Sequence, residues 1–166
     1  MSGVFSNQIA GRIASLHLHP VDPGAPLTAV ESFEVEIDKG IVGEPRYFGR
    51  TNRTGKPARR QVSLIERELI AGHATALGVR TIHPGAVRSN IETLGIDLVA
   101  LIGHEVELGE AVLFFYEART PCAKMDAICA GLRALMENNR QGVLAQVVRP
   151  GRIRVNDWIK LASDKT

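Results

Sequence analysis

Residues 105–135, EVELGEAVLFFYEARTPCAKMDAICAGLRAL, combine a predicted β-hairpin with the cysteine that follows it. Two short apolar segments, 105–108 and 111–117, flank a Gly109-Glu110 turn, which is the pattern of paired antiparallel strands. Pro121 cannot continue a strand ladder because it has no amide hydrogen to donate. The sequence therefore predicts a hairpin that leads directly to Cys122.

An amphipathic helix is predicted to begin near Cys122. Apolar residues recur after it at three- and four-residue steps, at Met125, Ile128, Cys129, Leu132, Leu135 and Met136. Unpaired amides at a helix N-terminus favour a thiolate, and Arg119 and Lys124 add positive charge nearby. Cys122 is thus predicted to be nucleophilic and a good ligand for a soft metal, whereas Cys129 belongs to the apolar stripe and is predicted to be a core residue.

The rest of the chain predicts many short strands and one further helix, at 66–77. Alternating or apolar segments bounded by Gly and Pro turns predict strands at 9–19, 31–37, 61–65, 86–94, 142–149, 152–155 and 158–161. A type II turn is expected at Pro150-Gly151, with 152–155 returning along 142–149, and residues 162–166 are expected to fray. The predicted fold is mainly β with α, a β-barrel-like domain of short strands decorated by a few helices.

The size of the chain predicts one domain, 1–166, with a core at about 11–161. It has 166 residues, 45% of them hydrophobic, and only two cysteines, too few for a disulfide framework. The first residues lack the basic-then-apolar pattern of a secretory signal, and no apolar run approaches the about 20 residues of a membrane-spanning helix. We therefore expect a cytoplasmic protein without a membrane partner.

Positive charge is concentrated in residues 44–60, within a long glycine-studded loop. Against the single acid Glu44, this segment carries Arg46, Arg50, Arg53, Lys56, Arg59 and Arg60. Arginine forks match phosphate and carboxylate groups, which predicts an anion site, although a charge run is also typical of a solvated face. Only Tyr47 and Phe48 could stack on bases, so a nucleic-acid partner has weak support.

Two histidines could share one face of the first predicted strand. His17 and His19 are spaced for a metal, but the sequence offers no third ligand nearby, so both are expected to be exposed to solvent. The sequence contains no Walker loop, no dinucleotide-binding fingerprint and no Cys-x-x-Cys pair.

In these residues the sequence resembles the MOSC family, named after the C-terminal domain of molybdenum cofactor sulfurases, in its small stand-alone bacterial form. The resemblance spans about residues 11–161. The matching pieces, in order, are Gly40-Ile41-Val42-Gly43, Gly49-Arg50, 60–65, Pro84-Gly85, Arg88, Asn90-Ile91, 95–98, 101–103, 109–111, Pro121-Cys122, Gly142-Val143, 151–153 and 157–159. Glu44 stands where the family usually has Asp, and Ser89 interrupts what is often Arg-Glu-Asn.

The resemblance implies a strand-rich barrel that binds the molybdenum cofactor, molybdopterin. Cys122 matches the family's characteristic cysteine, which in enzyme members such as the mitochondrial amidoxime-reducing component is credited with ligating molybdenum. It would be the catalytic residue and the metal ligand. The residues that the resemblance assigns to the anionic pterin are Arg46, Arg50, Arg59, Arg60, Arg88, Asn90, Thr120 and Cys122.

Three functions remain open at this point. The first is a molybdenum-cofactor protein that reduces N-oxygenated compounds with electrons from a donor protein. The second is a sulfur carrier with a persulfide on Cys122, which would receive sulfur from a separate cysteine desulfurase; pyridoxal phosphate would enter only through that partner. The third is a barrel that binds anions or nucleic acid without chemistry.

Overall fold

The computed structural model describes residues 10–162. The first residue of the first predicted strand, Ile9, and nearly all of the tail expected to fray lie outside this range. The strands within it are β1 (Gly11–Leu18), β2 (Thr28–Val30), β3 (Ser32–Glu36), β4 (Gly40–Ile41), β5 (Val62–Glu66), β6 (Ile91–Leu94), β7 (Glu105–Leu108), β8 (Ala111–Ala118), β9 (Val143–Arg149), β10 (Gly151–Arg154) and β11 (Trp158–Leu161). The helices are α1 (Arg67–Ala76), α2 (Lys124–Ile128) and α3 (Leu132–Met136), with a short 3-10 helix at Val99–Leu101.

Seven strands form a closed barrel in the order β11-β7-β8-β9-β5-β6-β1, and pairing of β1 with β11 completes the circle. Strand β2 extends one edge of β1, and β10, β3 and β4 form a separate small sheet. The predicted barrel-like, mainly β fold is confirmed. The hairpin β7–β8 is also confirmed, with Leu108 opposite Ala111.

The only parallel pair among the described barrel strands is β5 with β6, in which Leu64 lies opposite Ile91. A parallel pair needs a crossover connection, and α1 with the segment that follows it supplies this crossover. The helix covers the outside of the barrel and buries Ile70 and Ala74. As a result, the residues just before β6 lie against β5, close to the end of β1.

Apolar side chains form two clusters. The larger fills the barrel and includes Leu16, Leu64 and Phe115, each fully buried. The smaller lies outside it, between α1, α2 and α3, and contains Ile65, Ile70, Val87, Met125, Leu132 and Met136. The second cluster attaches the Cys122 segment to the barrel.

Two sequence predictions about strands are wrong. Only the second half of the predicted strand 86–94 is a strand, because residues 84–87 form turns and Arg88 has a positive φ of 65°. The segment after Pro150 does not return along β9; it pairs with β3, placing Gly151 opposite Val35. Gly151 lacks the positive φ that a type II turn requires.

The long helix predicted from Cys122 is also wrong, although its buried face is correct. The chain forms two five-residue helices, α2 and α3, separated by an extended Cys129 and by Gly131 at a φ of 92°. Glycine adopts this left-handed conformation without steric cost, which lets the chain turn there. Met125, Leu132 and Met136 still share one buried cluster.

Gly142 fixes the approach of β9 to β5. Its φ is 77°, and a side-chain Cβ at this position would lie 1.9 Å from the carbonyl oxygen of Leu64. No residue with a side chain fits there without moving the backbone of β5. The carbonyl of Gly142 accepts a hydrogen bond from the backbone amide of Arg119 at 3.0 Å, so this contact also positions the Cys122 segment.

The helices in the described part of the chain are all too short, or insufficiently apolar, to cross a lipid bilayer.

Candidate functional site

Cys122 lies on an exposed segment between β8 and α2. Helix α2 begins at Lys124 and not at the cysteine, and the carbonyl of Cys122 accepts a hydrogen bond from the Met125 amide at 3.1 Å. A helix of five residues has only a small dipole, so the helix-terminus argument for a thiolate is weaker than the sequence suggested. The sulfur is nevertheless surrounded by cationic side chains.

Arg119 supplies a fixed positive charge beneath the cysteine. Its side chain is buried, and Nη1 donates to the Ser89 hydroxyl at 3.0 Å and to the Arg88 carbonyl at 3.3 Å. Burial, with repulsion from Arg60, lowers the pKa of Arg119 to about 10. The guanidinium is therefore still protonated at neutral pH, with its charge poorly screened by water. Ser89, the departure from the family pattern, serves here as an acceptor for this arginine.

The sulfur opens onto a pocket of about 100 Å³. Its lining residues are His19, Arg46, Tyr47, Arg60, Arg88, Arg119, Cys122, Lys124 and Met125. Five of these nine carry a positive charge, and no described Asp or Glu is among them. The structure thus brings together four of the residues predicted from the sequence: Arg46, Arg60, Arg88 and Cys122.

The other predicted residues lie elsewhere. Arg59 points away, donates to Gln146 Oε1 at 3.0 Å and lies over the ring of Tyr116, 4.2 Å from its centre. Thr120 is exposed, outside the lining. Arg50 lines a neighbouring cavity of about 240 Å³, which shares Arg46 with the cysteine pocket and is otherwise formed by Pro20, Val21, Pro23 and Pro45.

Asn90 is not a lining residue but belongs to a buried hydrogen-bond network beside the pocket. Its amide nitrogen donates to Glu44 Oε2 at 2.7 Å, and its Oδ1 accepts from the Ser63 amide at 3.1 Å. Glu44 Oε1 accepts from the backbone amide of His19 at 3.0 Å, and Oε2 also lies 2.8 Å from His19 Nδ1. The network fixes the His19 ring at the pocket wall.

The Glu44 carboxylate is more acidic than usual despite its burial. Burial by itself raises the pKa of a carboxyl group, but the hydrogen bonds and the electrostatic interaction with His19, together with the hydrogen bond from Asn90, outweigh it and hold the pKa of Glu44 below the usual 4.5. Glu44, the second departure from the family pattern, is therefore ionised at neutral pH. Because Glu44 is buried and does not line the Cys122 pocket, the lining of the pocket stays cationic.

The prediction that His17 and His19 are exposed is wrong. Their exposed fractions are 1% and 3%. His17 Nδ1 lies 3.2 Å from the Ser89 carbonyl, and burial lowers the pKa of His17 below its usual 6.5, so the ring is neutral at pH 7. Among the residues described, no three or more His, Cys, Asp or Glu side chains are grouped as metal ligands.

Sequence reasoning missed two lining residues, His19 and Tyr47. Tyr47 is covered by neighbours: the Arg60 guanidinium lies 4.5 Å from its ring centre, Arg46 lies at 5.8 Å, and His19 meets it edge-on at 5.1 Å. Arg119 and Lys124 had a signal and were predicted to lie near Cys122, because both flank the cysteine in sequence. His19 and Tyr47 had none, since only the folded loop brings them to the sulfur.

The structure is thus a small β-barrel domain with one exposed thiol in a cationic pocket. The family model described as the MOSC domain matches residues 38–160. The chain therefore belongs to the MOSC domain family, as the sequence predicted. No curated protein sequence matches the chain.

Solved structures support the same fold. The YuaD protein from Bacillus subtilis superposes with a TM-score of 0.76 over 95% of this chain and 98% of that one, at 20% identity. YiiM from Escherichia coli gives 0.66 over 93% and 71% at 19% identity. YiiM from Geobacillus stearothermophilus gives 0.67 over 92% and 75% at 16% identity. At these identities the likeness concerns the fold alone.

Proposed function

We propose that this protein binds the molybdenum cofactor, with the Cys122 thiolate as a ligand of the metal. The observation that carries the proposal is the pocket itself, in which an exposed thiol is surrounded by five cationic side chains without a described carboxylate. Thiolate sulfur is a soft donor suited to such a metal. The family to which the chain belongs is associated with this cofactor.

The donors around the thiol fit the anionic part of a pterin cofactor. Arg46, Arg60 and Arg88 can offer forked N–H pairs to a phosphate, and Lys124 adds a point charge. Arg119, held by its hydrogen bond to Ser89, would place a further positive charge beside an anionic ligand at Cys122. Arg50 could contact a ligand that extends into the adjoining proline-lined cavity. Arg59 and Asn90 take no direct part in this proposal.

The activity class we propose is reduction of N-oxygenated compounds. Breaking an N–O bond to give N–H and water consumes two electrons and two protons, and the bound cofactor would supply the two-electron chemistry. The chain's own residues bind the cofactor and hold its charge, while the exposed position of Cys122 leaves the centre open to substrate. An electron-donor protein would have to reach this same face.

One observation favours a second candidate, the sulfur carrier. An exposed Cys122 on a surface segment is as accessible to a cysteine desulfurase as to a metal centre. That partner would bring its own pyridoxal phosphate and leave sulfur as a persulfide. The sulfur carrier does not, however, account for five cations at the thiol, so we prefer cofactor binding.

Nucleic-acid binding has less support than either. Tyr47 of the 44–60 loop and Tyr116 of the adjacent strand β8 each already have an arginine over the ring, Arg60 and Arg59 respectively. A base would have to displace these arginines in order to stack. This third function would be favoured if the affinity for DNA falls steeply with rising salt while the affinity for the pterin does not.

Protein purified from a host that makes the cofactor should contain molybdenum and pterin near stoichiometrically. Metal analysis, pterin fluorescence after oxidation and cyanolysis of labile sulfur should be run on wild type, Cys122→Ala and, as the matched control, Cys129→Ala. We expect metal in wild type and Cys129→Ala but not in Cys122→Ala. Absence of molybdenum from wild type, with cyanolysable sulfur that depends on Cys122, would establish the carrier function instead.

A further inference from the structure

A second and larger cavity lies beside helix α1. It encloses about 340 Å³, against about 100 Å³ at Cys122, and the two share no lining residue. Pockets that bind small organic molecules begin at about 300 Å³. Its walls are formed by Arg67, Ile70, Ala71, Ala74, Thr75, Arg80, Thr81, Ile82, Pro84 and Glu92.

One side of the cavity has a preorganised cation. Arg67 Nε donates to Glu92 Oε1 at 3.2 Å and Nη2 donates to the Ser15 hydroxyl at 2.7 Å, so the guanidinium plane is held from two directions. The second oxygen of Glu92 accepts from the Gly85 amide at 2.7 Å. Glu92 is buried and occupied by these two donors, which leaves the Nη1 group of Arg67 as a donor for a ligand.

The lining also contains a second, more accessible cation and an apolar surface. Arg80 is exposed and takes part in none of the four ion pairs found among residues 10–162. The lining also includes the aliphatic side chains of Ile70, Ala74 and Ile82. Two guanidinium groups against one engaged carboxylate make the cavity net positive.

We propose that this cavity binds a small organic carboxylate with a compact apolar body. The carboxylate would accept hydrogen bonds from Arg80 and from Nη1 of Arg67, since guanidinium forks match its geometry. The apolar body would pack against Ile70, Ala74 and Ile82. A cavity of this size has room for about ten water-sized groups, which fits an aromatic or branched aliphatic acid.

Titration with benzoate, followed by amide NMR shifts and by thermal melting, tests the proposal on the whole chain. We expect saturable shifts confined to the α1 cavity, with no saturable effect of benzamide, which lacks the charge. Arg80→Gln should weaken benzoate binding about tenfold or more, because a charge-assisted pair is lost. The matched control Arg53→Gln, an exposed arginine of the 44–60 loop, should leave it unchanged.

A cavity-filling variant provides an independent readout. Ala71 lines the cavity from an exposed position, so Ala71→Leu should obstruct the site while the protein stays folded. Equal binding to wild type, Arg80→Gln and Ala71→Leu would overturn the proposal, as would the absence of saturable benzoate binding. Inorganic phosphate binding more tightly than benzoate would show a bare anion site and also contradict it. None of these outcomes depends on the function of Cys122.

Discussion

Replacing Arg46 and Arg60 together by glutamine should lower the affinity for the molybdenum cofactor about 100-fold or more. Each arginine lines the Cys122 pocket, and a hydrogen bond to a charged group contributes roughly 1.5–3 kcal/mol. Losing two such interactions corresponds to at least two factors of ten, since about 1.4 kcal/mol is tenfold in affinity. Anaerobic titration of apoprotein with isolated cofactor would measure the change, and the melting temperature should fall little.

The matched control is Arg53→Gln with Arg59→Gln. This variant removes the same charge from the same loop, but Arg53 is exposed and Arg59 faces Tyr116 instead of the pocket. We expect its cofactor affinity to stay within a few-fold of wild type at moderate ionic strength, where distant charges are screened. If both double variants lose the same cofactor affinity, the arginines act only through their overall charge. That result would contradict specific binding in the Cys122 pocket.

The second large effect is expected at Glu44. Glu44→Ala removes the acceptor for three buried donors, from the His19 backbone, the His19 ring and Asn90. Each buried donor left without an acceptor costs about 1–3 kcal/mol of unfolding free energy. Denaturant unfolding at pH 7 would measure the loss. Glu44→Asp keeps the charge on a shorter side chain and should lose less than Glu44→Ala.

The stability that Glu44 contributes should fall as the pH is lowered. The pKa of Glu44 is lower in the folded protein than its usual 4.5, so ionised Glu44 stabilises the fold. That contribution is fully present above about pH 4.5 and is lost as the pH falls through the lower folded pKa. The stability difference between wild type and Glu44→Gln should therefore be largest near neutrality and should shrink below about pH 4.5. A pH-independent difference would mean that the carboxylate's charge has no part in it.

The fold was largely predictable because its signals are local. Two apolar segments around a turn predicted the hairpin β7–β8, and the predicted helix 66–77 matches α1 within one residue at each end. The break between α2 and α3 was not predictable from apolar spacing. That spacing continues across Gly131 because both short helices pack into the same cluster.

The candidate site was predictable only in part because it depends on which way side chains face. Arg59 and Arg60 are neighbours in sequence, yet Arg60 faces Cys122 and Arg59 faces Tyr116. Charge patterning identifies both arginines but does not predict which of the two side chains faces the pocket. That orientation is fixed by how the backbone enters β5. His19 was missed for a related reason, since its burial comes from Glu44, which is 25 residues away.

The most direct test of cofactor binding at Cys122 is X-ray absorption at the molybdenum edge. Wild type and Cys122→Ser should both be loaded with cofactor, and the sulfur atoms bonded to the metal counted. If the thiolate is a ligand, the serine variant has one sulfur neighbour fewer, with an oxygen neighbour in its place, while Cys129→Ser matches wild type. An unchanged sulfur count in loaded Cys122→Ser would contradict the account.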